Sequence, residues 1–182
     1  MKKYTHCEIA KIILKSLAVG GLFLTVLALP GLAQIYTLFQ PKNAKERYRI
    51  NRTMLNLQKQ KLVRIYKKGN IDVVEITKKG KKKILEYDLS DIKVPKLKRW
   101  DGWWRIVIFD IPEQKRNARR AISIKFKEMG LYSLQKSTFI SPYPCKKELD
   151  FIGEYFNVRN NILYIKAKEI EASSDIKKYF NL

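Results

Sequence analysis

The spacing of apolar and polar positions differs between the first and second halves of the chain. From residue 5 to about residue 90, apolar residues first follow helical spacing and then alternate with polar residues on both sides of Gly69-Asn70. Alternating, β-branched runs around such a pair predict a β-hairpin. The predicted order is two apolar helices, a basic helix with Asn43 as its N-cap, the hairpin and a further helix. This is the order of a winged helix-turn-helix domain.

From residue 100 onward the pattern is one of strands alternating with helices. A strand-like run ends at Asp110, and amphipathic helical segments follow at 112–130 and 146–156. A second apolar run lies between them, with a break near 133–137 that divides it into a hairpin, and the run NILYIKAKEI closes the pattern. The order is therefore βαββαβ, the split βαβ arrangement of ferredoxin-like domains.

The predicted fold class is thus α+β, with two domains. A winged helix occupies residues 1–90, a polar linker 91–99, and a ferredoxin-like domain 100–182. A four-stranded sheet with helices on one face leaves its other face open. We expect aromatic and apolar side chains on that face, from Trp103 and Trp104 to Phe139, to need cover from a partner chain or from the winged-helix domain. A partner chain would make the protein a homodimer.

The segment between Ser16 and Pro41 contains no charged residue, and three interpretations of it compete. Two buried helices, Ile9–Leu29 and Gly31–Phe39, would meet at Pro30, a residue that suits a helix boundary. Alternatively, residues 16–36 form a membrane anchor, or the segment is a signal peptide. The proline favours core helices and hence a cytoplasmic protein, with a membrane-anchored one as the alternative.

Charge then indicates the class of partner. The 182 residues include 38 Lys and Arg against 17 acidic residues, a formal net charge of +21. Between Lys42 and Lys83 there are 15 basic and 3 acidic residues, so 12 of the 21 excess positive charges lie in the basic helix, the hairpin and the following segment. Such a surface attracts polyanions, and in a winged helix the expected polyanion is double-stranded DNA.

The candidate DNA-binding residues lie on the basic helix, in the hairpin and just after it. Arg47, Asn51 and Arg52 are the candidates for contact with base edges, and lysines of the hairpin would contact phosphates. The full predicted set is Lys45, Arg47, Arg49, Asn51, Arg52, Lys59, Lys67, Lys68, Lys78 and Lys79.

Catalytic options are few. His6 is the one histidine, Cys7 and Cys145 are the two cysteines, and no phosphate-binding glycine motif or Cys-x-x-Cys pair occurs. We expect two reduced thiols. Any enzymatic chemistry would therefore rely on carboxylates, with a metal ion.

The stretches WDGWWRIVIFDIPEQKR and GLYSLQKSTFISPYPC resemble the middle domain of the phenylacetate-catabolism repressor family, the PaaX-like family. In that family a winged helix precedes this domain, and the domain is similar to the CRISPR-associated endonuclease of the Cas-two type. The resemblance implies a dimeric, DNA-binding transcriptional repressor. It also implies a second candidate, a metal-dependent nuclease or CRISPR-adaptation protein.

Asp110 is the residue on which that second candidate depends. In the endonuclease-type relatives, the aspartate that ends the first strand is the proposed metal ligand at the dimer interface. The resemblance thus implies a catalytic, metal-binding role for Asp110, with Mg²⁺ shared by two chains. Aspartate is also common where a strand turns into a helix, because it accepts backbone N–H bonds there. We favour that structural role, a regulator rather than an enzyme, and no required cofactor.

Overall fold

The computed structural model describes residues 4–19, 31–69, 71–171 and 173–182. Helices predominate in its first half and a four-stranded sheet in its second, which confirms the α+β class. The helices are α1 (His6–Val19), α2 (Gly31–Phe39), α3 (Ala44–Lys59), α4 (Lys78–Asp91), α5 (Arg116–Glu128), α6 (Lys146–Tyr155) and α7 (Ser173–Phe180). The strands are β1 (Val63–Lys68), β2 (Ile71–Ile76), β3 (Trp104–Phe109), β4 (Tyr132–Gln135), β5 (Thr138–Ser141) and β6 (Ile162–Ala167).

The chain divides into two compact units, residues 1–90 and 91–182. In the first unit α1 packs against α3 and β2, and α2 packs against β2. β1 and β2 form an antiparallel pair in which Lys68 lies opposite Ile71, so the predicted hairpin is present. Gly69 has φ 63°, a conformation that favours glycine, and Asn70 lies outside the described residues.

The apolar N-terminal segment is partly accounted for by this core. α1 buries Ile9, Ile13, Leu14 and Leu17 against the rest of the unit, as a core helix should. The predicted continuation to Leu29 and the break at Pro30 lie in residues 20–30, outside the described part of the chain. Within that part, each helix is too short or too polar to cross a membrane.

The end of α3, the start of β1 and the start of α4 are joined by Thr77. Its hydroxyl donates to the Lys61 carbonyl at 2.7 Å and accepts a hydrogen bond from the Gly80 N–H at 3.0 Å, which caps α4. A Cβ at Gly80 would lie 2.2 Å from the Leu62 carbonyl oxygen, so α4 can approach β1 this closely only with glycine at that position.

The second unit has the predicted βαββαβ order. Its sheet has the strand order β4-β5-β3-β6 with all neighbours antiparallel, the ferredoxin-like arrangement. α5 ends at Glu128 with Met129 as its C-cap, and Gly130, with φ 86°, follows in the left-handed conformation that commonly ends a helix. The helix-covered core is centred on three aromatic rings, Phe109, Phe126 and Phe139, whose centroids lie 5.4 to 5.9 Å apart.

The opposite sheet face differs from the prediction. Phe139 lies in the helix-covered core, whereas Trp104 is on the other face, so the two do not share a surface. Trp104 is covered by α7 of its own chain, through Ile176 and Phe180. α7 follows the last strand and was not predicted. It leaves only part of this face open, where Leu163 and Ile165 of β6 pair with β3.

Candidate nucleic-acid interface

The N-terminus of α3 is fixed by its own side chains. The Asn43 side chain accepts a hydrogen bond from the Glu46 N–H at 2.9 Å, and the Glu46 carboxylate accepts one from the Lys42 N–H at 2.9 Å. This reciprocal pair confirms Asn43 as the N-cap. The helix that carries most of the candidate residues therefore begins at a defined position.

α3 has two different apolar faces. Ile50, Met54 and Leu57 are buried in the domain core, together with Thr53. Tyr48 and Leu55 are 64% and 65% exposed. Apolar spacing alone predicts that Tyr48 and Leu55 share one side of the helix with Met54 and Leu57, and that prediction is wrong. The two residues are seven positions apart, which places them on one line of the helix, roughly opposite the buried side chains.

The exposed face of α3 is basic as well as apolar. Lys45, Arg47, Arg52 and Lys59 are all exposed and form no hydrogen bond or ion pair through their side chains within the described ranges. Arg52 and Lys59 follow Tyr48 at spacings of four and eleven residues, so they lie beside Tyr48 and Leu55. We call the group Tyr48, Arg52, Leu55 and Lys59 the outer stripe of α3.

Two other predicted residues of α3 are used inside the domain. Arg49 is partly buried, and its guanidinium donates to the Tyr4 carbonyl at 2.9 Å. The side-chain amide oxygen of Asn51, Oδ1, accepts a hydrogen bond from the Tyr36 hydroxyl. Of the three residues predicted to contact bases, Arg47 and Arg52 therefore remain exposed to a ligand, whereas the side chain of Asn51 is hydrogen-bonded to α2.

The predicted lysines outside α3 also divide into two kinds. Lys67 on β1 and Lys78 at the start of α4 are exposed, and the side chain of Lys68 lies outside the described part. The Lys79 ammonium donates to the Gln60 carbonyl at 3.0 Å. Because this carbonyl closes the C-terminal end of α3, where the helix dipole is negative, Lys79 contributes to holding α3 against α4.

Asp110 lies at the end of β3, in the other unit. Its backbone is held at both polar atoms, since its N–H donates to the Asn161 carbonyl at 3.0 Å and its carbonyl accepts from the Asn161 side chain at 2.8 Å. Its carboxylate is exposed and caps neither the short 3₁₀ turn Glu113–Lys115 nor α5. The predicted capping role is therefore not seen at these two starts.

Other groups with chemical potential are few. The described residues contain no cluster of three or more histidine, cysteine, aspartate or glutamate side chains that could hold a metal ion. His6 Nδ1 lies 2.9 Å from the Thr53 hydroxyl. Cys7 and Cys145 are free thiols, and burial raises the pKa of Cys145 to about 12, which makes that thiol unreactive.

Comparison with known proteins assigns the second unit. Residues 97–178 match the family model of the PaaX protein central Cas2-like domain. The C-terminal domain of this chain therefore belongs to that domain family, as its sequence resemblance indicated. No curated protein matches the chain.

Proposed function

We propose that the protein is a DNA-binding transcriptional regulator of the PaaX type, in which α3 enters the major groove and the β1–β2 hairpin lies along the backbone. The observation that carries the proposal is the outer stripe of α3 with the exposed cations on either side of it. A helix anchored by one face, with unpaired cations on the other, has the form of a recognition helix.

The outer stripe also suggests how bases are read. Arg52 can donate two hydrogen bonds to guanine, and Leu55 and the ring of Tyr48 can contact thymine methyl groups. Lys45, Arg47, Lys59 and Lys67 are exposed, and we expect them to contact phosphates. Phosphate contacts supply affinity without sequence information, so the two groups have separable roles.

We further propose that the regulator is a homodimer formed through the open part of the sheet in the C-terminal domain. Leu163 is 56% and Ile165 37% exposed, and they lie opposite Ile108 and Ile106 of β3. A second copy of this face would cover them. A two-fold axis would then present two α3 helices to the half-sites of a palindrome. Such a protein would act in the cytoplasm, where both thiols stay reduced.

The test of DNA binding is an electrophoretic mobility titration of the full chain against duplex DNA at two salt concentrations. If six or more phosphates are contacted, affinity should fall by about a thousandfold or more between about 50 mM and 200 mM salt. A variant in which Arg47, Arg52 and Lys59 are changed to glutamine should bind DNA weakly at both salt concentrations. Binding that ignores salt, or that survives these changes, would contradict the proposal.

A metal-dependent nuclease acting through Asp110 is the second candidate. This candidate is supported by the carboxylate of Asp110, which is exposed and does not cap either of the helices that follow it. One chain supplies a single carboxylate, so Mg²⁺ would need Asp110 of a second copy and several waters. Purified protein with Mg²⁺ should then cut DNA and the Asp110→Asn variant should not; equal cutting by both would exclude Asp110 as the ligand.

A further inference from the structure

The C-terminal domain contains a basic pocket that the proposed function does not use. It has a volume of about 570 Å³ and is formed by one side of α5 together with the turn between β4 and β5. Its lining residues are Arg119, Arg120, Ser123, Ile124, Lys136 and Ser137. The Phe109 N–H donates to the Ser137 carbonyl at 3.0 Å, which places this turn beside the end of β3, next to Asp110.

The charges in this pocket are incompletely neutralised. Arg119 donates to Glu113 at 2.8 Å, in an exposed ion pair. Arg120 and Lys136 are exposed and have no side-chain hydrogen bond or ion pair in the part of the chain that the structure describes. Among the described residues, no acidic side chain lines the pocket. The two unpaired cations, Arg120 and Lys136, repel one another, and an anion bound between them would relieve that repulsion.

The donor set points to the chemistry of that anion. Two guanidinium groups offer planar pairs of N–H donors, the ammonium of Lys136 adds a third charge, and Ser123 and Ser137 add hydroxyl donors. This combination matches the tetrahedral oxygens of a phosphate better than a single carboxylate. The volume exceeds that of one phosphate ion, and Ile124, 57% exposed, provides an apolar wall for an attached group.

We propose that this pocket binds a phosphate group, either as a free phosphate or as part of a nucleic-acid backbone. The proposal does not depend on DNA recognition by α3, because the pocket belongs to a different domain and requires no sequence reading. If the backbone is the source, the C-terminal domain adds a phosphate contact to the protein's DNA-binding surface. If the source is free, the domain has its own anion site.

The test compares two double variants of the full-length protein with the same loss of charge. Arg120→Gln with Lys136→Gln removes the two unpaired cations of the pocket. Lys127→Gln with Lys147→Gln, two exposed lysines of α5 and α6 outside it, is the control. Inorganic phosphate should shift the side-chain NMR signals of Arg119 and Arg120 in the wild type and the control. In the pocket variant the affinity should fall by about tenfold or more, the effect of losing charge-assisted hydrogen bonds.

A second arm distinguishes the two sources. Binding to duplex DNA is measured over a range of salt, and loss of one backbone phosphate contact should reduce the slope of log affinity against log salt by about 0.9 in the pocket variant only. A reduced slope identifies the backbone, and a phosphate response with an unchanged slope identifies free phosphate. A pocket variant that matches the control in both arms overturns the proposal. The phosphate arm remains decisive even if α3 does not bind DNA.

Discussion

The two domains carry the same number of lysines and arginines, 19 each, but the N-terminal one has 6 acidic residues and the C-terminal one has 11. In the C-terminal domain many cations are held by acids, among them Arg105 with Asp101, Arg119 with Glu113, and Arg159 with Asp150. On α3, by contrast, the exposed cations have no such partner within the described residues.

The difference shows two uses of positive charge. A cation paired with an acid of its own domain is fixed in place. The ion pair then contributes to the stability of the fold if it is buried, and little or nothing measurable if it is exposed. An unpaired cation at the surface keeps its attraction for an external polyanion. An unpaired cation is therefore a candidate for a ligand contact where several such cations share one surface. Arg120 and Lys136, which are unpaired and line one pocket, meet that condition in the C-terminal domain.

The largest expected effect comes from breaking the best-buried pair. The Arg105 side chain is 3% exposed; it donates to Asp101 and also to the Trp103 carbonyl at 2.8 Å. The hydrogen bond that Arg105 donates to the Asp101 carboxylate lowers the pKa of Asp101. Asp101→Asn should lower the free energy of unfolding by about 2–4 kcal/mol, because a buried guanidinium loses its counterion. Urea denaturation measures this, with Glu169→Gln, an exposed acid, as the control. If Asp101→Asn and Glu169→Gln are equally stable, the pairing of Arg105 with Asp101 does not stabilise the fold.

The next effect concerns the unpaired cations. Arg52→Gln should weaken binding to a preferred DNA duplex by about tenfold, since it removes a side chain placed to reach bases. Arg49→Gln removes the same charge from the same helix, but Arg49 is occupied by the Tyr4 carbonyl. We therefore expect Arg49→Gln to reduce affinity less and to lower the melting temperature instead. Fluorescence anisotropy and thermal melts separate the two, and the reverse result would place the reading face elsewhere on α3.

An effect of similar size is expected at the open part of the sheet face, around Leu163. Leu163→Lys places a cation in the proposed dimer contact and should weaken the dimer by about tenfold, as loss of a central apolar contact does. The monomer should remain folded, since Leu163 is already half exposed. Sedimentation at several concentrations measures the dimer and circular dichroism the fold. A dimer unaffected by Leu163→Lys would require a different interface.

The smallest effect is a dependence of stability on acid. The pKa of Asp150 lies below its ordinary 3.8, first because Lys146 donates a hydrogen bond to it and then because Arg159 does. A depressed pKa means that this stabilisation is present above pH 3.8 and is lost as the pH falls through the folded-state value. Asp150→Asn should lower the free energy of unfolding by less than about 1 kcal/mol near pH 6, as the loss of a surface ion pair does. Urea melts should show that the difference in free energy of unfolding between variant and wild type disappears below pH 3.8. A difference that does not change with pH would instead indicate that the substitution disturbs packing.

Secondary structure was largely predictable, because the periods of the apolar residues differ clearly between helix and strand. The hairpin at Gly69, the N-cap at Asn43 and the βαββαβ order are all signalled by local residue types. α7 was missed because it has only eight residues, SSDIKKYF, directly after the last strand. Its signal was present in the spacing of Ile176 and Phe180, which are four residues apart, but one turn of helix is weak evidence alone.

The faces of the elements were harder to predict than the elements. α3 has apolar residues on two sides, and a helical period cannot say which side meets the core; the exposure of Tyr48 and Leu55 was therefore missed. β3 is apolar at nearly every position, so alternation did not separate Trp104 from Phe109. For the candidate site, the residue types were informative, whereas the engagement of Asn51 and Lys79 within the fold depends on tertiary contacts.

The two thiols have a practical consequence, since each domain contains one. Cys7 is exposed on α1, whereas Cys145 precedes α6 and has a pKa of about 12 through burial. A thiol-specific dye reacts with the thiolate, so Cys7 should be labelled at once and Cys145 only when its domain opens. The slow labelling rate therefore reports how often the Cas2-like domain unfolds under native conditions. With DNA present or absent, this rate would reveal directly whether a ligand stabilises that domain.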